Sequence, residues 1–169
     1  WKIIKATDYL EYERSGDQTV MEIPFGKNNK ALSDLFMAEM AEGEGRFIDQ
    51  IINGVFYCCE MTSWSFSAHL WMQKEGGYLP NYQERLIEMG CGNLASLLAY
   101  IYYYLKPSFD KVNLLIAKRL RHELQVRILD PYMNEQYHWM AFNLFPGNSV
   151  NNWNPWNNFH VLQLSLIHI

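Results

Sequence analysis

The chain has 169 residues, a net charge of −4 and a hydrophobic content of 49%, which exclude intrinsic disorder and supply material for a core. The acidic balance argues against a protein that holds nucleic acid or an anionic membrane through a broad basic surface. No apolar stretch reaches the roughly 18 residues that a membrane helix needs. Aromatic residues reach 15%, and large rings serve both in cores and in stacking on sugars or bases.

The spacing of apolar residues predicts helices along nearly the whole chain. A short first helix is expected over residues 7–16, and an irregular stretch follows it through Pro24 and Gly26. Apolar residues at helical spacing then predict a helix over residues 32–40, which Gly43 closes.

Another apolar stripe covers residues 47–59 and contains Gly54. A glycine inside a helix costs about 1 kcal/mol relative to alanine. Its presence therefore indicates that the helix packs closely against a neighbour at this position.

Three further helices are expected before Pro131. A short one begins at Pro80 and is stopped by Gly90, and the next, over residues 94–105, is apolar on nearly all faces. The longest begins at Pro107 and ends before Pro131, because proline disfavours helix in the residue that precedes it. With no alternating β-branched runs around tight turns, the predicted fold class is all-α, built from antiparallel helical hairpins.

The cysteines and the chain ends carry little functional information. Cys58, Cys59 and Cys91 form no zinc or disulfide pattern, so we expect buried thiols, no metal and no cofactor. Because residue 1 is Trp, we expect a fragment of a longer protein. The last six residues, 164–169, break the polar and apolar rhythm, and we expect a truncated or non-native tail without function there.

The composition changes between residues 143 and 158, where asparagines are interleaved with tryptophans. The seven asparagines are at positions 143, 148, 151, 152, 154, 157 and 158. Asparagine amides donate and accept hydrogen bonds without charge, and indoles offer broad apolar faces. Together they suit stacking on a sugar ring and hydrogen bonding to its hydroxyls and carboxylate. A turn-rich loop, in which asparagines cap helices and tryptophans fill the core, has equal weight on composition alone.

Three segments carry a resemblance to a known family, namely EMTSWSFSAH, RILDPYMNEQYHWM and NSVNNWNPWNNFHVLQ at residues 60–69, 127–140 and 148–163. They resemble the heparinase II/III group of polysaccharide lyases over about residues 8–161. The resemblance implies that residues 1–163 are part of an incomplete α/α toroid, followed in the whole protein by a β-sandwich domain. It also implies β-elimination on uronic-acid glycans such as heparin, heparan sulfate or alginate, and a periplasmic or secreted location.

Related alginate lyases carry an Asn-Asn-His-Gly-x-Trp motif, and its second Asn lies at the substrate carboxylate. By resemblance, Asn152 takes that carboxylate-neutralising role and Trp156 matches the motif's Trp, whereas Trp153 stands where the motif has His. An indole cannot accept a proton, so Trp153 can only stack or donate its N–H. His138 is a further catalytic candidate. The predicted substrate-binding residues are Tyr137, Trp139, Trp153, Trp156, Asn157, Glu60, Trp64 and His69.

The same residues are also compatible with other functions. A non-catalytic carbohydrate-binding helical module would use the same aromatic and amide side chains. A glycoside hydrolase on an α/α toroid needs two carboxylates that flank the bond, and no convincing pair is present. Arg119, Arg121 and Arg127 can bind a sulfate or a carboxylate, but a solvated helix face with Arg119–Glu123–Arg127 pairing is the expected arrangement.

Overall fold

A computed structural model describes residues 1–140 and 150–168, and the described part of the chain is all-helical. Its α-helices are α1 (Ala6–Ser15), α2 (Thr19–Glu42), α3 (Ile48–Glu60), α4 (Met89–Val112), α5 (Leu114–Leu124), α6 (Asp130–Asn134) and α7 (Trp153–Leu164). A π-helical turn joins α5 to α6, and the 3₁₀ helices are Ser67–Met72, His138–Met140 and Ser165–His168. None of the helices in these two ranges is both long enough and apolar enough to cross a membrane.

The first and third helices follow their sequence signals closely. α1 ends where Gly16 adopts the left-handed conformation, with φ of 78°, and α3 matches the stripe predicted over residues 47–59. The second helix begins earlier than predicted, because Pro24 and Gly26 lie inside α2. Pro24 removes one backbone hydrogen bond in the second turn, but it is buried beside Phe25, and this packing outweighs the loss.

The predicted short helix over residues 80–90 is wrong, and so is the helix break at Pro107. The chain before Glu88 is irregular, and α4 then runs without a break from Met89 through Pro107 to Val112. The break falls instead at Asn113, whose backbone is extended and whose side-chain oxygen accepts from the Leu115 N–H at 2.9 Å. Asparagine is a strong helix-capping residue, so the cap fixes the break at Asn113. The packing of α4 against α5 and α7 outweighs the backbone hydrogen bond lost at Pro107.

The long helix does not stop before Pro131. A π turn over Gln125–Leu129 continues α5 into α6, and the Asp130 N–H donates to the Gln125 carbonyl. The wider turn changes the local hydrogen-bond pattern, so that Pro131, which has no N–H, is accommodated within a continuous helical path. The helical path ends at Asn134, because Glu135 is extended.

α4 lies at the centre of the packing and contacts α5 and α7 most extensively. Consecutive helices also pack together, α1 on α2 and α2 on α3. The described part of the tail packs on α4 as well, with Leu164 and Ile167 both buried. Ile169 lies outside the described residues.

The predicted pairing of Arg119 and Arg127 with Glu123 is confirmed, at 2.9 and 2.5 Å. The expectation that this face is solvated is wrong, because Glu123 and Arg127 are both buried. Arg127 also donates to the carbonyls of Cys59 and Thr62 at 3.2 and 3.3 Å. The arginine therefore ties α5 and the π turn to the carboxyl end of α3.

The close packing predicted at Gly54 is present. A Cβ at this position would lie 2.5 Å from the Trp1 ring atom Cζ2 and 2.9 Å from Leu32 Cδ1. We therefore expect Gly54→Ala to lower the free energy of unfolding by about 1–2 kcal/mol, since overpacking outweighs the better helix propensity. Urea denaturation monitored by circular dichroism measures this difference.

Gly26→Ala is the matched control, because Gly26 is also helical and an added Cβ there meets nothing within 4 Å. This control is expected to gain about 0.5–1 kcal/mol from helix propensity. Equal gains at the two positions would contradict the tight contact at Gly54.

Candidate functional site

Three of the predicted substrate-binding rings lie in the core. Trp64, Tyr137 and Trp139 are all buried, and each polar atom is hydrogen-bonded to a backbone carbonyl within 2.8–2.9 Å. The rings of Tyr137 and Trp139 are stacked, with 5.5 Å between their centroids, and they hold the segment Arg85–Ile87 through its carbonyls. These three side chains join segments of the fold and are absent from the surface that carries the other predicted residues.

Two further predicted residues lie apart from one another. Glu60 is exposed and forms an ion pair with Arg119 at 3.3 Å. Asn157 is fully buried on α7, and neither atom of its amide has a hydrogen-bond partner among the described residues. Asn143 and Asn148 of the predicted asparagine cluster lie outside the described residues.

A row of four rings forms where three helical segments meet. The centroid of Trp71 is 5.6 Å from that of His138, His138 is 5.6 Å from Trp153, and Trp153 is 4.6 Å from His69. Trp71 is 52% exposed and His138 is exposed, whereas Trp153 and His69 are half-buried. We call these four side chains the ring row. It brings together the predicted residues His69, His138 and Trp153, and it adds Trp71, which the sequence did not indicate.

Asn152 lies next to the ring row in sequence, and its amide makes no hydrogen bond with the described residues. It precedes α7, but its side chain makes no capping hydrogen bond. Asn151 caps the helix instead, because its side-chain oxygen accepts from the Trp153 N–H at 3.0 Å. Asn152 is exposed, so its amide is available to a ligand that stacks on the neighbouring indole. Trp156, one turn further along α7, is 47% exposed and packs on the ring of His160.

His160 belongs to the interface between α7 and α4. Its Nδ1 lies 2.7 Å from the Ser96 hydroxyl, and its ring packs against the position of Gly92. Burial lowers the pKa of His160 below its ordinary value, and the hydrogen bond with Gln163 opposes this effect. His160 is therefore packed between the two helices.

The inner end of the ring row is anchored by Glu88, a residue that sequence reasoning missed. Its fully buried carboxylate caps α4 and accepts from the N–H groups of Gly90 and Cys91 at 3.0 and 2.7 Å. It also accepts from the Phe66 N–H at 3.2 Å, and its Oε2 lies 2.5 Å from His69 Nδ1. The carboxylate thus ties the 3₁₀ helix that carries His69 to the first turn of α4.

The glycine that follows Glu88 is required by this arrangement. A Cβ at Gly90 would lie 2.8 Å from the Phe66 ring and 2.9 Å from Glu88 Oε1. In the sequence, this cap is signalled by a glutamate two residues before a glycine, ahead of an apolar helix. The sequence prediction places Gly90 at the end of a helix, whereas it lies in the first turn of α4.

Two more titratable groups shape the electrostatics of the ring row. Burial raises the pKa of the Glu22 carboxyl on α2, and the positive charge of His69 opposes the rise. Burial lowers the pKa of His138, and His69 lowers it further by charge repulsion. His138 is therefore more readily neutral than a solvated histidine, which suits accepting a proton or a hydrogen bond.

A groove of about 510 Å³ is lined in part by Met72 and Tyr137, which are the sequence neighbours of Trp71 and His138 in the ring row. Its wall carries four carboxylates and two cations, together with the amides of Asn81, Gln83, Asn134 and Gln136. The charged residues are Glu75, Glu84, Asp130, Glu135, Lys74 and Arg85. This groove can hydrogen-bond to a polar ligand, but its charge disfavours a densely anionic one.

No protein-family model matches this sequence. No curated protein matches it either. The resemblance to the heparinase II/III group therefore rests on the quoted residues and stays a prediction.

Proposed function

We propose that this chain is the helical part of a polysaccharide lyase that cleaves uronic-acid glycans by β-elimination. In this proposal the helices form part of an incomplete α/α toroid, and a β-sandwich domain of the whole protein completes the cleft, in the periplasm or outside the cell. The observation that carries the proposal is the exposed amide of Asn152, which makes no hydrogen bond with the described residues. It precedes Trp153, whose half-buried indole lies in a row with two histidines.

The chemistry of elimination explains why these groups belong together. Removal of the C5 proton gives the neighbouring carboxylate enolate-like character, and hydrogen-bond donors must stabilise the added charge. The Asn152 amide supplies such a donor without a charge of its own. Trp153 holds the sugar ring by stacking, and an imidazole of the ring row takes part in the proton transfer.

The adjoining groove supports a polymer rather than a single sugar as the substrate. We propose that a glycan chain stacked on the ring row also occupies the groove, where the amides of the groove wall bind its hydroxyls. Because carboxylates outnumber cations on the groove wall, we propose a uronate polymer of moderate charge and not a heavily sulfated one.

A second candidate function is carbohydrate binding without cleavage. Trp153 occupies the motif position at which the related lyases have a histidine, and an indole cannot transfer a proton. The ring row is sufficient for stacking whether or not a bond is broken. Product formation therefore separates the two functions.

The test of sugar binding is a titration of the chain with unsulfated uronate oligosaccharides, read by tryptophan fluorescence and calorimetry. We expect Trp153→Ala to weaken binding by about 10- to 100-fold, or ~1.4–2.8 kcal/mol, because the stacking face is lost. Phe159→Ala is the matched control, since Phe159 is a 65% exposed aromatic residue on the same helix but outside the ring row. Equal effects of the two substitutions would contradict binding at the ring row.

The test of cleavage is the release of an unsaturated, ultraviolet-absorbing uronate product by the whole protein. Product formation supports the lyase. Tight binding with no product, from every uronate polymer offered, would support the binding module instead.

A further inference from the structure

His69 is held in one orientation by contacts on three sides. Its Nδ1 lies 2.5 Å from Glu88 Oε2, and its ring packs on Trp153 and Phe66 with centroids 4.6 and 5.8 Å away. The side chain is 19% exposed, so part of it reaches the surface. His138, by contrast, is exposed, with ring contacts to Trp71 and Trp153.

The partners of Glu88 determine which nitrogen of His69 carries the proton. Backbone N–H groups donate to both carboxyl oxygens, Phe66 and Cys91 to Oε1 and Gly90 to Oε2. Both oxygens are therefore acceptors, and a lone pair on Nδ1 would face them unfavourably. The neutral ring of His69 thus carries its proton on Nδ1, and Nε2 keeps a free lone pair.

We infer that His69 Nε2 is the proton acceptor of the reaction and that Glu88 is its positioning residue. This inference rests on the proposed lyase function. Nε2 takes the proton from C5, and the electron pair of the C5–H bond forms the C4=C5 double bond. The C4–O bond breaks, the leaving oxygen takes a proton from water, and His69 returns its own proton to solvent.

The charged groups around His69 come from three elements. Glu88 precedes α4, Glu22 lies on α2, and His138 lies in the 3₁₀ helix His138–Met140. The proposed step needs the neutral ring, because a proton on Nε2 would occupy the lone pair that accepts from C5. A substitution that changes the hydrogen-bond partner of Nδ1 must therefore change the tautomer of the ring as well as the rate.

Glu88→Gln tests the positioning role directly. The glutamine oxygen is expected to take the place of Oε1, which receives two N–H groups, and its NH₂ then faces His69 Nδ1. The neutral ring must then carry its proton on Nε2. Nitrogen-15 NMR of the histidine rings distinguishes the two tautomers in the free protein, without substrate.

We expect the neutral ring of His69 to carry its proton on Nδ1 in the unchanged protein and on Nε2 in the Glu88→Gln variant. In the whole protein this variant is expected to lose about 10²–10⁴-fold in kcat with little change in KM. Glu88→Asp, which keeps a carboxylate, is expected to recover part of the rate. Glu13→Gln, at an exposed position on α1, is the matched control and should leave the His69 tautomer unchanged.

His69→Gln is the second variant, in case Glu88→Gln does not fold, because its amide can still donate to Glu88. It is expected to lose kcat to the same extent. A His69 proton on Nε2 in the unchanged protein, or full activity in either folded variant, overturns the inference. Absence of unsaturated product from the unchanged protein overturns the lyase proposal itself, and the tautomer measurement tells the two failures apart.

Discussion

Arg127→Met is expected to lower the free energy of unfolding by about 3–5 kcal/mol. The guanidinium is buried, pairs with the buried Glu123 at 2.5 Å and donates to the carbonyls of Cys59 and Thr62. It also lies 5.0 Å from the centroid of the Trp64 ring. Methionine fills a similar volume, but it leaves a buried carboxylate and two carbonyls without this donor.

Chemical denaturation of the variant and its control measures the effect. Arg121→Met is the matched control, because Arg121 lies exposed on the same helix, and it should change stability by no more than about 0.5 kcal/mol. Arg119 still pairs with Glu123 Oε1 in Arg127→Met, but Oε2 has lost its donor. Adding Glu123→Leu removes this buried carboxylate, so the double variant is expected to be more stable than Arg127→Met alone. A loss below about 1 kcal/mol for Arg127→Met would contradict a structural role for the buried pair.

Asn152→Ala is expected to lower kcat of the whole protein by about 10²–10³-fold, the loss typical of one donor to a developing negative charge. Since the proposed lyase reaction has the amide act on charge that appears in the transition state, kcat and kcat/KM should fall together. Stability should change little, because Asn152 is exposed and does not cap α7. Steady-state kinetics on an unsulfated uronate polymer, together with thermal unfolding, measure both quantities.

The neighbouring amide supplies the contrast. Asn151 caps α7 through the Trp153 N–H, and Asn151→Ser keeps a side-chain oxygen that can do the same. Its kcat is expected to stay close to that of the unchanged protein. If Asn152→Ala retains full turnover, the carboxylate is stabilised elsewhere, and the assignment by motif fails.

Local signals were sufficient for much of the fold. The stripe of α3, the capping glycines at 16 and 43 and the tight position of Gly54 were predicted because each depends on neighbours within a few residues or on one missing side chain. The helix breaks near Pro24 and Pro107 were predicted wrongly. In both cases tertiary packing around α2 and α4 outweighed a single lost hydrogen bond.

The candidate site was predictable only in part, for a similar reason. Asn152 and Trp153 are adjacent in sequence, and their residue types suggest sugar binding. The pairing of His69 with Glu88 spans 19 positions, and the stacking of His69 on Trp153 spans many more, so neither has a local pattern. The burial of Trp139 also has no local pattern, because the partner of its N–H is the carbonyl of Ile87, 52 positions earlier in the chain.

The π turn at Gln125–Leu129 makes the fold sensitive to the exact number of residues in this segment. Such a turn holds one residue more than regular α-helical winding accommodates, and each residue rotates an α-helix by about 100°. Deleting one residue there would restore regular α-helical winding and rotate the chain that follows the turn about the helix axis. His138 would then lose its contacts with Trp71 and Trp153 although its own residue type is unchanged. The number of residues in this turn therefore determines on which side of the helix axis the ring row forms.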